Sequence, residues 1–269
     1  MDFEKQTKIE DIVDKVIFKF ADDLLSKFSP NNDGQNDLID NKKNNCFISE
    51  LGEEFMFYST FVRSFDSSFG NILQNIGNKI GELSYTVGKK IDSFILPEQI
   101  QLISNLMDYY KNNIKPELLH YNNQNVILPR DITSFKREHK IDNYFYDEIS
   151  KTYYIIELKA GGDLDNKKSK AEKIAMLTEY FLLKNKIIDK KDETVEIYFA
   201  TAYNKFGEGN VWKQRYVKQF FSEDELLIGK DYWNFICKNK YGFEIISNQY
   251  KKSSRYIKDS LIKIKETYF

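Results

Sequence analysis

The stretch Thr152-Tyr-Tyr-Ile-Ile-Glu-Leu-Lys159 decides how this chain is read. Its aromatic and β-branched residues fit a pleated, half-buried surface, so a strand is expected. Side chains at i and i+2 of a strand share a face, which puts Glu157 and Lys159 side by side at the end of an apolar run. A carboxylate and an ammonium there are costly to desolvate unless they are paired or bind something. Working outward, residues 141–146 read as the hairpin partner of this strand. Residues 166–187 read as a helix with a stripe of Ala171, Ile174, Ala175, Thr178, Phe181 and Leu182, and 194–203 as another buried strand. Strand, helix, strand over that length implies a crossover that leaves 152–159 and 194–203 parallel in one sheet.

The rest of the chain has the period of helices. Ile9, Ile12, Val13, Val16, Ile17, Phe20 and Leu24 predict one over about residues 8–28, and the polar stretch 29–45 after it reads as a loop. Phe55, Tyr58, Val62, Phe65, Phe69, Ile72, Ile76, Ile80 and Leu83 give the stripe of a long helical region at 50–85, and 98–118 reads as a third helix. Ser222-Glu-Asp-Glu225 is a capping box expected to open a helix, and a last amphipathic helix is expected over about 253–267. The fold class is therefore α/β, a mixed central β-sheet flanked by helices. One domain over 1–269 is expected, with a mainly helical part at 1–125, a catalytic core at 126–205 and a basic part at 206–269.

Lys+Arg 40 against Asp+Glu 41 removes any simple argument for nucleic acid from net charge. The sum hides a gradient. Residues 1–100 carry 11 basic and 17 acidic side chains, while 201–269 carry 13 and 8, so an anionic partner would prefer the later part. Cys46 and Cys237 have no CxxC companion, and His120 and His139 are too far apart for the paired histidines of metalloproteases or HNH nucleases. No P-loop and no GxSxG elbow occurs. The charged start MDFEKQTKIEDIVDK is unlike a signal peptide, and no apolar run approaches the roughly 20 residues that span a bilayer, so a soluble, cytoplasmic protein is expected. Any catalysis must rest on carboxylates and lysines.

The candidate constellation is Asp142, Glu157 and Lys159. A four-residue loop, Glu148 to Lys151, would pair Asp147 with Thr152 and set Asp142 across from Glu157 on the same face; a five-residue loop would turn it away unless a bulge intervenes. Asp142, Glu157 and the backbone carbonyl of Leu158 would make an oxygen-rich site suited to Mg²⁺, with Lys159 orienting or helping to deprotonate a water. The D/E-x-K pattern alone is weak, since Asp40, Glu138, Asp165 and Asp189 begin the same triplet. Only Glu157-Leu-Lys159 closes an apolar strand.

With the hairpin before and the helix after, Asp142…Glu157-Leu-Lys159 resembles the PD-(D/E)xK nuclease superfamily over about residues 140–203. Glu157-Leu-Lys-Ala-Gly-Gly-Asp-Leu-Asp165 and Arg63-Ser-Phe-Asp-Ser-Ser-Phe-Gly70 are similar to type II restriction endonucleases, the TdeIII-like group above all. The resemblance implies a restriction-endonuclease-like αβββαβ core and sequence-specific, Mg²⁺-dependent hydrolysis of double-stranded DNA leaving 5′-phosphate ends. It makes Asp142 and Glu157 metal ligands and Lys159 the catalytic lysine. Ile141 stands where the family's name has Pro; Asp131, after Pro129-Arg130, is the fallback first acid, and Glu54 or Glu53 could add a ligand from the N-terminal helix. Lys136, Arg137 and Lys140 ahead of Asp142, Lys167, Lys168, Lys170 and Lys173 at the start of the next helix, and Lys213, Gln214, Arg215 and Lys218 are the expected DNA contacts. In the last group Trp212, Tyr216 and Phe220 equally fit the core face of a helix, and Arg63, Ser64, Ser67 and Ser68 read as packing and capping residues. Cutting both strands implies a homodimer and, functionally, a cognate DNA methyltransferase. A repair or recombination nuclease on the same core and a non-catalytic DNA-binding protein are the alternatives.

Overall fold

A computed structural model describes residues 2–29, 41–122 and 136–268, with the side chains of Lys89 and 136–143 outside the described set. Its elements are α1 (Phe3–Lys27), α2 (Cys46–Ser49), α3 (Glu53–Gly81), β1 (Thr86–Phe94), α4 (Pro97–Lys111), α5 (Leu119–Asn122), β2 (Lys136–Asp147), β3 (Thr152–Lys159), α6 (Asn166–Lys186), β4 (Thr194–Thr201), α7 (Arg215–Lys218), β5 (Leu226–Ile228), α8 (Lys230–Ile236) and α9 (Gly242–Tyr268). They fall into two compact units, residues 1–80 with 241–269 and residues 81–240.

The first unit is helical. Ile9, Val13, Val16, Ile17, Phe20 and Leu24 are buried on one face of α1, as their spacing predicts. Helices α1 and α9 pack along each other, tied where Ser260 Oγ donates to the carbonyl of Ala21 at 2.9 Å and Ser253 Oγ to Asp14 at 2.6 Å. Phe57, Phe61, Phe65 and Phe69 of α3 stack at steps of four and meet Phe20 of α1 and Phe28 just past its end. The first turns of α3 are rotated from expectation. Met56 and Phe57 are buried there, while Phe55, Tyr58 and Val62 are exposed. Helix α9 begins at Gly242, about three turns before the predicted start.

The second unit carries the sheet. Among the described residues it has five strands in the order β1-β2-β3-β4-β5, antiparallel through β3 and parallel from β3 to β5. The β3–α6–β4 crossover is thus parallel, as expected, and α3, β1, β2, β3, α6, β4 follow the αβββαβ order with α4 and α5 inserted. Helix α6 covers one face, burying Ile155, Val195, Ile197 and Phe199 against Met176, Leu177, Tyr180 and Phe181. On the other face Phe235 of α8 packs against Tyr85, Tyr154 and Tyr198.

Several expectations change here. Strand β1 was not read from sequence: Thr86-Val-Gly-Lys-Lys-Ile-Asp-Ser-Phe94 is polar because it is an edge. Phe181 and Leu182 of the expected α6 stripe are buried, together with Ser169, Lys173, Met176, Leu177, Tyr180, Leu183 and Asn185, while Ala171, Ile174 and Ala175 are exposed. The Ser222–Glu225 capping box forms, but it closes a single 3₁₀ turn that feeds β5 rather than a helix. The predicted 98–118 helix stops at Lys111.

Candidate active site

The hairpin between β2 and β3 has the even loop, with Asp147 paired to Thr152, Tyr146 to Tyr153 and Tyr144 to Ile155. Asp147 fixes the turn: its carboxylate accepts the Ile149 N–H at 3.0 Å and pairs with Lys238 Nζ at 2.7 Å. On its other side β2 slips against β1, and residues 141–143 stand opposite the single Lys89. Gly88 is required beside that irregularity, since a Cβ there would lie 2.1 Å from the Tyr144 ring. Asp142 therefore belongs to β2 at a register shift, although its side chain lies outside the described residues, as do those of Lys136, Arg137 and Lys140. Asp131 also lies outside them. Glu53 and Glu54 stand exposed in the first turn of α3.

Glu157 and Lys159 follow Ile155 on the α6 face of β3, at the carboxyl end of the strand, paired with Phe199 and Thr201 of β4. Open α/β sheets bind their ligands at such strand ends. Lys159 Nζ lies 2.6 Å from Glu157 Oε1 and 2.8 Å from Glu172 Oε1, all three side chains being about one quarter to one third exposed (30%, 24% and 25%). Burial pulls the Lys159 pKa down, but the two carboxylates outweigh it and the ammonium is held above its ordinary value. Two carboxylates around one ammonium leave an excess of one negative charge and only oxygen donors. That donor set suits a hard divalent cation. Among the described residues no three His, Cys, Asp or Glu side chains form a metal-binding group, so a site needs a donor from outside them.

Sequence reasoning missed Glu172. It lies in the second turn of α6, and only the packing of that helix over β3 brings it to Lys159. The loop after β3 is braced next to it. Gly162 takes φ +66°, and a Cβ there would meet Thr201 Cγ2 at 2.6 Å and the Trp212 ring at 3.0 Å. Asp163 pairs with Lys205 at 2.8 Å, and Gln214 Nε2 donates to Asp163 at 3.0 Å and to the Gly162 carbonyl at 3.3 Å. Gln214 is buried, so its amide serves the loop rather than a base edge.

The expected DNA-facing cations divide. Lys167 and Lys168 are exposed in the first turn of α6, which Asp165 caps and which contains no acid. Lys170 is half-buried, and Lys213 and Arg215 are exposed. None of these five makes an ion pair among the described residues. Lys218 reaches Glu223 at 3.4 Å. Lys173 corrects the reading of a four-lysine cluster, because it is wholly buried in an ion pair with Glu225. Trp212 and Phe220 are core residues, whereas Tyr216 is exposed, because the helix here spans only Arg215–Lys218.

The mixed sheet thus ends one of its inner strands in an acid and a lysine, with a further carboxylate from α6 closing on the lysine. The family model described as "Type II restriction endonuclease, HinfI" matches residues 5–254, nearly the whole chain. The chain belongs to that family, and it is a type II restriction endonuclease that cleaves DNA sequence-specifically. Type II restriction endonucleases typically use a divalent metal. The repair-nuclease and binding-module readings fall away, and the kinship is to HinfI rather than to the TdeIII-like group. No curated protein matches the chain. Among the described residues no helix is long and apolar enough to cross a membrane.

Proposed function

We propose that Asp142, Glu157 and the Leu158 carbonyl hold Mg²⁺, that Lys159 is the catalytic cation, and that hydrolysis of double-stranded DNA leaves 5′-phosphate ends. The observation that carries this reading is the convergence of Glu157, Lys159 and Glu172 at the carboxyl end of β3. The Asp147–Thr152 pairing supports the first acid, since the same register continued along the hairpin sets Asp142 opposite Glu157. When bound, the ion neutralises charge on the scissile phosphate and lowers the pKa of water.

Lys159, held as an ammonium by two carboxylates, orients the attacking water and stabilises the added negative charge. Glu172 is a positioning residue that fixes the lysine from α6. Lys136, Arg137, Lys140, Lys167, Lys168, Lys170, Lys213, Arg215 and Lys218 supply the cationic track for the DNA backbone, and Gln214 is left out of it. Two cuts in a symmetric site call for two copies of this centre, so the enzyme acts as a homodimer.

Plasmid and phage DNA incubated with Mg²⁺ should give discrete reproducible bands, with none in EDTA. Glu157→Ala and Lys159→Ala should abolish cutting while retaining DNA binding. Full cutting by either variant would refute the assignment.

A further inference from the structure

The helical unit holds a cavity of about 450 Å³ that plays no part in the centre proposed above. Helix α3 is two-faced. Phe57, Phe61, Phe65 and Phe69 turn to the aromatic core, while Thr60, Arg63, Ser64, Ser67 and Ser68, at steps of three and four, line the cavity. Lys27 from the last turn of α1 and Lys42 complete the described lining, which contains three cations and no carboxylate. Lys42 Nζ donates to Ser59 Oγ at 2.5 Å, and Thr60 Oγ1 to the Met56 carbonyl at 2.9 Å. Arg63 and Lys27 make no ion pair among the described residues. Ser64 Oγ is buried and has no hydrogen-bond partner. Three cations that share one opening with the unsatisfied Ser64 hydroxyl, Arg63 exposed and Lys27 and Lys42 half-buried, suit an anion with several acceptor oxygens.

We infer that this cavity is a phosphate-binding site of the helical unit, with Arg63 as its bidentate anchor, Lys27 and Lys42 as charge partners, and Ser64, Ser67 and Ser68 as hydroxyl donors. A planar guanidinium fork matches two phosphate oxygens, whereas the lysines act as point charges. The phosphate can come from the backbone of bound DNA or from a free phosphate or mononucleotide, and the chemistry is the same.

The test measures anisotropy of a labelled random-sequence duplex with full-length enzyme in EDTA, across a salt series. For the backbone source, Arg63→Ala and Lys27→Ala each lower the slope of log K against log [salt] by about 0.9 and weaken binding about eightfold at 0.1 M salt. Arg63→Lys keeps the slope, and Lys258→Ala, an exposed cation on α9, changes neither quantity. For the free-phosphate source the slopes stay unchanged. Inorganic phosphate or a deoxynucleoside monophosphate then raises the melting temperature of the wild type but not of Arg63→Ala or Ser64→Ala. Unaltered slopes together with equal or no protection in all variants overturn the site.

Discussion

Lys173→Met tests whether the buried pair in the sheet unit is built as described. Lys173 and Glu225 have side-chain exposures of 0% and 1% and face each other between α6 and the turn before β5. Glu225 also accepts the Tyr121 hydroxyl at 2.6 Å and the Ser222 N–H at 2.8 Å, while the Tyr121 and Phe221 rings flank the ammonium at 5.1 and 4.8 Å. Burial pushes the Lys173 pKa down against the pull of Glu225, which expresses the cost of desolvating the cation. Removing the ammonium leaves a carboxylate buried with two neutral donors, a loss of about 3–5 kcal/mol. With a urea m-value of about 2–3 kcal/mol/M, the midpoint should fall by between about 1 and 2.5 M. Both tryptophans, Trp212 and Trp233, are buried in this unit, so their fluorescence reports its unfolding. Lys173→Met/Glu225→Gln should recover at least half of the loss, because a neutral amide can still accept from Tyr121 and no charge is stranded. A single-variant shift below about 0.5 M, or a double variant as unstable as the single, would refute the reasoning.

The remaining predictions concern the loops and the centre. Asp147 is disfavoured as an anion by burial, yet Lys238 and the N–H groups of Ile149 and Ser150 outweigh that and hold its carboxyl below the ordinary range. Its contribution is therefore present above the unfolded value of 3.8 and is lost as pH falls through the folded one; Asp147→Asn should flatten acid unfolding followed by tryptophan fluorescence. Gly162→Ala forces a side chain into a positive-φ position against Thr201 and should cost about 1–3 kcal/mol, read as a lowered melting temperature. Glu172→Gln should lower the single-turnover cleavage rate by about 10- to 100-fold with DNA affinity unchanged and the high-pH limb of the rate profile moved down, as befits a residue acting through Lys159; an unmoved profile with an intact rate would assign it to structure alone.

The legible parts of the fold were those with strong period or composition. Thr152–Lys159, the crossover and the α1 face were of that kind, and Glu157 with Lys159 stood out because charges ended an apolar strand. What escaped had tertiary causes. An edge strand such as β1 need not be apolar, because among the described residues it pairs with a strand on one side only. The face of α6 was misread over its first turns because the core accepts the polar side chains of Ser169 and Lys173 there, as it accepts Asn185 near the helix end. Asn185, for example, bonds Gln99 and the Phe94 carbonyl. Glu172 could be found only once α6 was laid across β3.

The central claim is that acids from adjacent strands share one divalent ion. It is tested most directly by the anomalous signal of Mn²⁺ in a crystal of the enzyme with DNA. The account predicts one peak within about 2.5 Å of oxygens of Asp142, Glu157 and Leu158, with Lys159 turned to the scissile phosphate. A peak that excludes Glu157, or one ligated by Glu172 while Asp142 points away, would contradict it.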